Sequence, residues 1–294
     1  APTPEHEPLP LPILVGMVAL SASVLLAAIV WAGIRLWPEK TYPTDTPMAV
    51  IESAGQMLKD RRADRLVELI EPVPPTETDT DRADRMRDLY IRLGRVLAAA
   101  QDLHAAVEIA MPDELTKLSA EVAAAESRGE RTGILATLMP SRRNNADTTE
   151  RRAARERAVS RLLADPFGSL DNAVTTNIHR IGIQEIGADT VAVTWDGRPV
   201  LPPFGLTMRQ HEEGWRVVPP TSLPMIRRFL PESEAEFQVW GSLLATVESL
   251  LDDLRRAVQS GRITTLDALS RKAIEDAIIP MGMVMIALGN ADDD

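Results

Sequence analysis

An apolar stretch without a charged residue runs from Ile13 to Ile34 and reads ILVGMVALSASVLLAAIVWAGI. At about 1.5 Å per residue, a helix of these 22 residues covers the roughly 30 Å hydrocarbon layer of a bilayer. Trp31 and Trp37 lie near its far end, and amphipathic rings favour the lipid–water boundary. The pattern therefore predicts a proline-rich tail, one transmembrane helix and a connector, residues 1–12, 13–37 and 38–47.

Two other structures compete with a membrane helix for this stretch. A cleaved signal peptide has a basic start and an apolar run of about 7–15 residues, whereas this tail carries Glu5 and Glu7 and the run is longer. A buried soluble helix stays open as an alternative, although no polar face interrupts the stretch. Small residues recur every four positions and give a smooth stripe on which another helix can pack. The residues predicted to form the anchor are Ile13, Gly16, Ala19, Ser23, Ala27, Trp31 and Trp37.

The sequence around this helix gives conflicting signals about its orientation. The N-terminal flank has no Lys or Arg, whereas Arg35 and Lys40 follow the helix, so the positive-inside rule keeps the body in the cytoplasm. A short tail before the first apolar segment and a large body after it is, however, the usual layout of a signal anchor that exports the body. We expect a single-pass protein of a bacterial inner membrane, with the extracytoplasmic side slightly favoured for the body.

Beyond the connector, apolar residues repeat every three or four positions, which is the period of amphipathic helices. The longest helical stretch covers 81–110, a second follows Pro112, and a charged helix is predicted over 149–164. The C-terminal region 233–294 has the same period, and Thr264 or Thr265 is expected to cap one of its helices. Its widest apolar stripe consists of Phe237, Trp240, Leu243, Leu244, Val247, Leu250, Leu251 and Leu254.

Near residue 176 the period changes from about 3.6 to 2, which indicates strands. The segments NIHRIGIQEI, TVAVTWD, FGLTMRQH and WRVV are separated by short turns such as Asp196-Gly197. Such short connections require antiparallel pairing, so we expect a four-stranded meander over 178–219. The predicted fold is a helix-rich α+β domain, 48–232, with a helical insertion at 81–165, followed by the C-terminal helical region and preceded by the membrane helix.

Two segments together resemble the nuclear-transport-factor-two-like superfamily, a cone-shaped α+β fold. They are the paired helices MAVIESAGQMLKDRRADRLVELIEP and the hairpins TVAVTWDGRPVLPPFGLTMRQHEEGWRVVPP, so the similarity covers 48–70 and 178–219. The resemblance implies a conical pocket, and the Gly-Trp strand is frequent in extracytoplasmic accessory members. Catalytic members use a pocket Asp or His with a Tyr, whereas Tyr42 and Tyr90 are the only tyrosines here, so no catalytic residue carries over.

Composition excludes several classes of function. The chain has no cysteine, which removes disulfide frameworks, Cys-zinc sites, iron–sulfur clusters and Cys nucleophiles. A net charge of −11 argues against general nucleic-acid binding, because that requires clustered cations. The sequence contains no P-loop, GxGxxG, GxSxG, HExxH or EF-hand motif.

Four histidines are scattered along the chain, and none has a second histidine at metal-ligand spacing. His211 precedes Glu212-Glu213 in a hairpin, where a polar turn is a better interpretation than a metal site. His104 is expected to be half-buried on its helix, His179 to alternate on a strand, and His6 to lie on the surface. We therefore predict no metal and no cofactor.

Two clusters are candidate partner contacts. Arg151, Arg152 and Arg155 belong to an arginine-rich helix that is either a solvated face or a dock for lipid headgroups or an acidic partner. Met281, Met283 and Met285 lie in an apolar tail that either packs in the core or forms an adaptable partner surface.

These features favour a non-catalytic accessory or scaffold subunit of an integral-membrane complex, with energy-converting, photosynthetic and secretion complexes as candidate settings. Its predicted partners are the bilayer and membrane-protein subunits, contacted through the membrane helix and the added helices. The alternative is a membrane-tethered module that binds a small apolar ligand in the conical pocket. An enzyme of unrecognised type ranks third.

Overall fold

The computed structural model describes residues 40–71, 80–127, 159–200, 206–219 and 230–277. The chain divides into two compact units, Ala1–Thr41 and Tyr42–Asp294, and the elements below belong to the second. The predicted transmembrane helix lies outside the described residues. Within those residues, no helix has both the length and the apolar content that crossing a bilayer requires.

Helices dominate the described residues, and a small antiparallel sheet accompanies them. The seven α-helices described are α1 (Pro47–Lys59), α2 (Thr80–Ala110), α3 (Pro112–Ser127), α4 (159–164), α5 (Gly168–Thr175), α6 (Glu234–Gln259) and α7 (266–277). Two 3-10 helices are Ala63–Leu69 and Ile178–Arg180. The strands are β1 (Ile181–Glu185), β2 (Thr190–Trp195), β3 (Arg198–Pro199), β4 (Leu206–His211) and β5 (Gly214–Val218). The prediction of a helix-rich α+β body is confirmed.

The sheet is a meander with the strand order β1-β2-β4-β5, and all its pairs are antiparallel. The two-residue β3 pairs with the end of β2, on the edge that β4 also uses. Asp196 and Gly197 form the β2–β3 turn with φ angles of 50° and 74°, as in the turns that match the twist of paired strands. The four expected strands are therefore present, and β3 is an addition.

The first strand begins later than the period-two pattern predicts. Ile178–Arg180 form a 3-10 helix in which the Arg180 N–H donates to the Asn177 carbonyl oxygen at 2.9 Å. The partner strand β2 ends at Trp195, opposite Ile181, so earlier residues have no partner strand to pair with. The prediction that His179 alternates on a strand is wrong, because His179 is exposed on this 3-10 helix.

One face of the sheet packs against α1. Successive side chains of a strand point to opposite faces, so Val191, Val193 and Met208 share the side that meets Val50 and Met57. Met57 and Met208 are each 1% exposed. Full burial of such a side chain is worth about 1.5–3 kcal/mol, so this cluster, here called the sheet core, is a major source of stability.

A second apolar cluster, here called the helical core, is built around α2 and α6, which run parallel. Arg82 and Arg92 of α2 donate to the carbonyl oxygens of Pro231 and Gly241, and each pair is 149 residues apart. Both helices carry apolar positions alternately three and four apart, as in a coiled coil. These are Met86, Leu89, Leu93, Val96, Ala100, Leu103 and Val107 on α2, and Phe237, Trp240, Leu244, Val247, Leu251, Leu254 and Val258 on α6.

Shorter helices complete the helical core around the C-terminal half of that pair. Apolar side chains of α3, α4 and α7 pack there, among them Leu118, Leu163 and Leu269. The start of α7 is capped by Thr265, whose Oγ1 accepts from the Ala268 N–H at 3.2 Å. Of the two threonines considered from the sequence, Thr265 is thus the cap.

A buried amide connects the helical core with the sheet core. Gln101 of α2 is 7% exposed; its Nε2 donates to the Leu58 carbonyl oxygen at 2.8 Å, and its Oε1 accepts from the Ala63 N–H at 3.0 Å. These two backbone groups belong to the end of α1 and the start of the first 3-10 helix. Gln101 therefore fixes the bend between them against α2.

We expect Gln101→Leu to lower the free energy of unfolding by about 2 kcal/mol, because the buried Ala63 N–H loses its acceptor. The measurement is urea unfolding of the full chain in detergent. The matched control is Gln56→Leu, which removes an exposed glutamine whose side chain bonds only Asp60, and we expect a change within about 0.5 kcal/mol. Equal losses from the two variants would contradict the role given to Gln101.

Candidate functional site

The residues that the sequence analysis predicts as anchor and partner contacts lie outside the part of the chain that the structure describes. The predicted anchor residues Ile13, Gly16, Ala19, Ser23, Ala27, Trp31 and Trp37 lie outside the described residues. The same is true of Arg151, Arg152, Arg155, Met281, Met283 and Met285. These remain predictions.

Three histidines lie within the described ranges, and each has a different environment. His104 is half-buried, as expected, and its Nδ1–H donates to the carbonyl oxygen of Ala164. His179 is exposed. His211 is the last residue of β4, next to a turn as expected, but it also approaches a buried carboxylate from a distant part of the chain.

That carboxylate belongs to Glu71, which is only 4% exposed. Arg209 Nη1 donates to its two oxygens, at 3.1 Å to Oε1 and 3.3 Å to Oε2. His211 Nε2 lies 3.4 Å from Oε2 and, within the described part of the chain, is the one buried side-chain nitrogen or oxygen without a hydrogen bond. Glu71, Arg209 and His211 form what is here called the Glu71 cluster.

Backbone pairing brings Glu71 to this place. Ile70 forms a parallel bridge with Val217 of β5, and the Glu71 N–H donates to the Val217 carbonyl oxygen at 2.8 Å. Arg209 and His211 alternate with the buried Met208, so they point to the face of the sheet opposite the sheet core. The Glu71 cluster thus ties the end of the first 3-10 helix to the outer face of the sheet.

The Glu71 cluster is a structural clasp, by which we mean that its ion pair connects two segments distant in sequence. A buried carboxylate requires compensating partners, and the cation and N–H groups of Arg209 supply them. No group of three or more His, Asp or Glu side chains that could hold a metal ion is found in the described ranges. The sequence analysis missed Glu71 because it precedes a proline-rich break and no periodicity links it to a strand 138 residues later.

Two other charge pairs of the described residues lie on the surface. The Arg62 and Arg180 guanidinium groups hold the pKa of Asp64 and of Asp196 below its usual range through side-chain hydrogen bonds. Arg180 also stacks on the ring of Trp195, at 4.7 Å from its centroid. Exposed pairs of this kind contribute little to stability.

Two polar cavities occur between helices. One, of about 280 Å³, lies between α3, α4 and the start of α7 and is lined by Glu114, Arg161 and Asp267. The other, of about 350 Å³, lies where the end of α1 meets α2 and the start of α5 and is lined by His104, Asp165 and Asp171. The first is lined mainly by charged side chains and the second by a mixture of charged, polar and apolar ones, whereas small-molecule sites typically have mainly apolar walls.

No family model, curated protein or solved structure matches this chain.

We expect a coupling free energy of about 1.5 kcal/mol between Glu71 and Arg209 in a double-mutant cycle with Glu71→Met and Arg209→Met. Either single variant leaves a charged group without its partner, whereas the double variant removes both, so the double loss is smaller than the sum. The measurement is urea unfolding of the four chains.

The control cycle uses Glu213→Met and Arg216→Met, an exposed ion pair in the same hairpin. Exposed pairs couple by about 0.5 kcal/mol or less. A Glu71–Arg209 coupling no larger than that of the exposed pair would contradict the clasp.

Proposed function

We propose that this protein is a non-catalytic, membrane-anchored accessory or scaffold subunit of a larger integral-membrane complex. The observation that carries the proposal is the uncharged run Ile13–Ile34, which has the length and composition of a spanning helix. In the sequence it precedes the second unit, Tyr42–Asp294, whose described helices far exceed what the small sheet needs for cover. The described body also lacks a metal cluster, and its one buried carboxylate serves in a clasp.

The packing of the sheet core disfavours the alternative of a tethered module with an apolar ligand pocket. Such a module needs an open space between the sheet and α1. Met57 and Met208 fill that space at 1% exposure each, and Trp215 packs against the same cluster. The accessory role is therefore the better proposal.

The likeness to the nuclear-transport-factor-two-like superfamily is kept as part of the proposal. It is supported by α1 and the following 3-10 helix, which cover one face of an antiparallel meander. The long parallel pair α2–α6 is the departure from that simple fold. We propose that these added helices, together with the membrane helix, carry the contacts with partner subunits.

The first test concerns the stripe of small residues in the membrane helix. We expect the full chain to co-purify with membrane-protein partners at constant stoichiometry in mild detergent. The triple variant Ala19→Leu, Ser23→Leu and Ala27→Leu should stay in the membrane fraction but lose those partners, because leucine prevents close helix approach. Isolation of the unchanged chain as a lone monomer would contradict the proposed function.

The matched control substitutes three other small residues of the same helix, Ser21→Leu, Ala28→Leu and Ala32→Leu. At 100° per residue these positions lie roughly 180–220° from Ala19, on the opposite side of the helix. The control should keep its partners. Equal partner loss in both triple variants would show that bulk in the helix, and not the stripe, is responsible.

A second test determines on which side of the membrane the body lies. The chain has no cysteine, so Ala120→Cys on the exposed face of α3 and Thr3→Cys in the tail each give one thiol. We expect a membrane-impermeant maleimide to label the Ala120→Cys chain in spheroplasts, and the Thr3→Cys chain only after lysis. The reverse pattern would place the body in the cytoplasm, as the positive-inside rule predicts.

A further inference from the structure

The cavity of about 350 Å³ beside α5 is lined by several polar side chains. It lies where the end of α1, the middle of α2 and residues 165–171 meet. Lys59, Gln101, His104, Asp165, Phe167 and Asp171 are among its lining residues. Its volume is at the lower end of the range for small-molecule sites.

Two carboxylates face this space without partners. Neither Asp165 nor Asp171 makes a side-chain hydrogen bond or ion pair within the described part of the chain. The ammonium of Lys59, at the end of α1, is also unpaired there. An unpaired carboxylate in a concave site attracts a cation more strongly than one on a flat surface, because low-dielectric walls focus its field.

His104 adds a third acceptor. A carbonyl oxygen can only accept, so the bond to Ala164 places the proton of a neutral His104 ring on Nδ1. The other ring nitrogen, Nε2, then carries a lone pair. The amide of Gln101 bonds Leu58 and Ala63, one at each end.

Because Gly168 has no side chain, the carboxylate of Asp165 can lie close to it. A Cβ built on Gly168 would lie 1.8 Å from Asp165 Oδ2 and 2.4 Å from its carboxyl carbon. The carboxylate therefore occupies the volume that any side chain at position 168 would need. The carboxylate of Asp165, although exposed, thus lies against the start of α5.

We propose that this cavity is a binding site for an organic cation, an ammonium or guanidinium group with several N–H donors. Asp165, Asp171 and His104 Nε2 are the acceptors, and Phe167 lines the same cavity. A bare divalent metal does not fit, because these three side chains are not grouped closely enough to hold one. The positive charge of Lys59, which also lines the cavity, repels a cationic ligand and weakens its binding.

The experiment titrates the full chain in detergent with two probes. Agmatine represents a free organic cation, and N-acetyl-arginine amide represents an arginine side chain on a protein. We expect at least one to bind with a Kd of about 1 mM or lower by calorimetry, with the affinity falling as salt is raised. With only four histidines in the chain, labelling the ring Cε1 gives four signals, and that of His104, assigned with His104→Gln, should shift on binding.

The substitutions are expected to change the affinity for the probes in opposite directions. Asp165→Asn and Asp171→Asn should each weaken binding by about tenfold, since a charge-assisted hydrogen bond becomes a neutral one. The Asp165 side chain makes no hydrogen bond within the described residues, so the midpoint of unfolding should stay nearly unchanged for Asp165→Asn. Lys59→Met should tighten binding several-fold. The control Asp102→Asn neutralises an exposed acid of α2 two positions from His104 and should leave affinity unchanged.

Tighter binding of agmatine identifies a free cation as the ligand, and tighter binding of the blocked arginine identifies a basic side chain of a partner. Failure of both probes to bind at 10 mM (about tenfold above the expected Kd) overturns the proposal. Binding that Asp165→Asn and Asp171→Asn leave unchanged also overturns it. Neither result bears on the membrane anchor, so the cation site and the proposed function fail separately.

Discussion

The way in which the sheet core and the helical core meet depends on a buried amide, that of Gln101. The sheet core and the helical core are separate apolar clusters, and the hydrophobic effect alone does not set the angle between them because it has no direction. Gln101 does, since its oxygen and nitrogen bond two backbone groups on either side of the bend after α1. A buried amide with both ends satisfied tolerates little rotation, because any rotation leaves a buried group unpaired.

Glu71 also makes a buried polar contact, at the other end of the first 3-10 helix. Gln101 holds the residue at its start, Ala63, and Glu71 follows its end and bonds Arg209 on the far face of the sheet. The segment between them also packs closely on α2, where a Cβ on Gly94 would lie 2.7 Å from the Asp64 carbonyl oxygen. Gln101 and Glu71, two buried polar groups of the described body, thus both serve its architecture.

Local pattern was enough to predict most elements of the described body. The helix over 81–110, its restart at Pro112 and the Asp196-Gly197 turn all follow from short-range signals, and the structure has them. Long-range pairing was not predictable in this way. The stripes on α2 and α6 have coiled-coil spacing, but spacing does not reveal the partner helix or its parallel direction. The Glu71 cluster and the polar cavity join residues far apart in sequence, so no window of the chain contains them.

The parallel pairing of α2 and α6 determines which experiments can locate partner contacts on the added helices. In the sequence they belong to two different regions, the insertion 81–165 and the C-terminal region 233–294. The sequence alone therefore suggests that each region could be deleted separately. In the structure α6 and α7 cover the apolar side of α2, with Leu103 at 1% and Leu254 at 1% exposure. Deleting either region exposes that surface to water and costs several buried side chains at about 1.5–3 kcal/mol each. Loss of partners after such a deletion would report unfolding, so contacts on these helices can be mapped only by substitution of exposed residues.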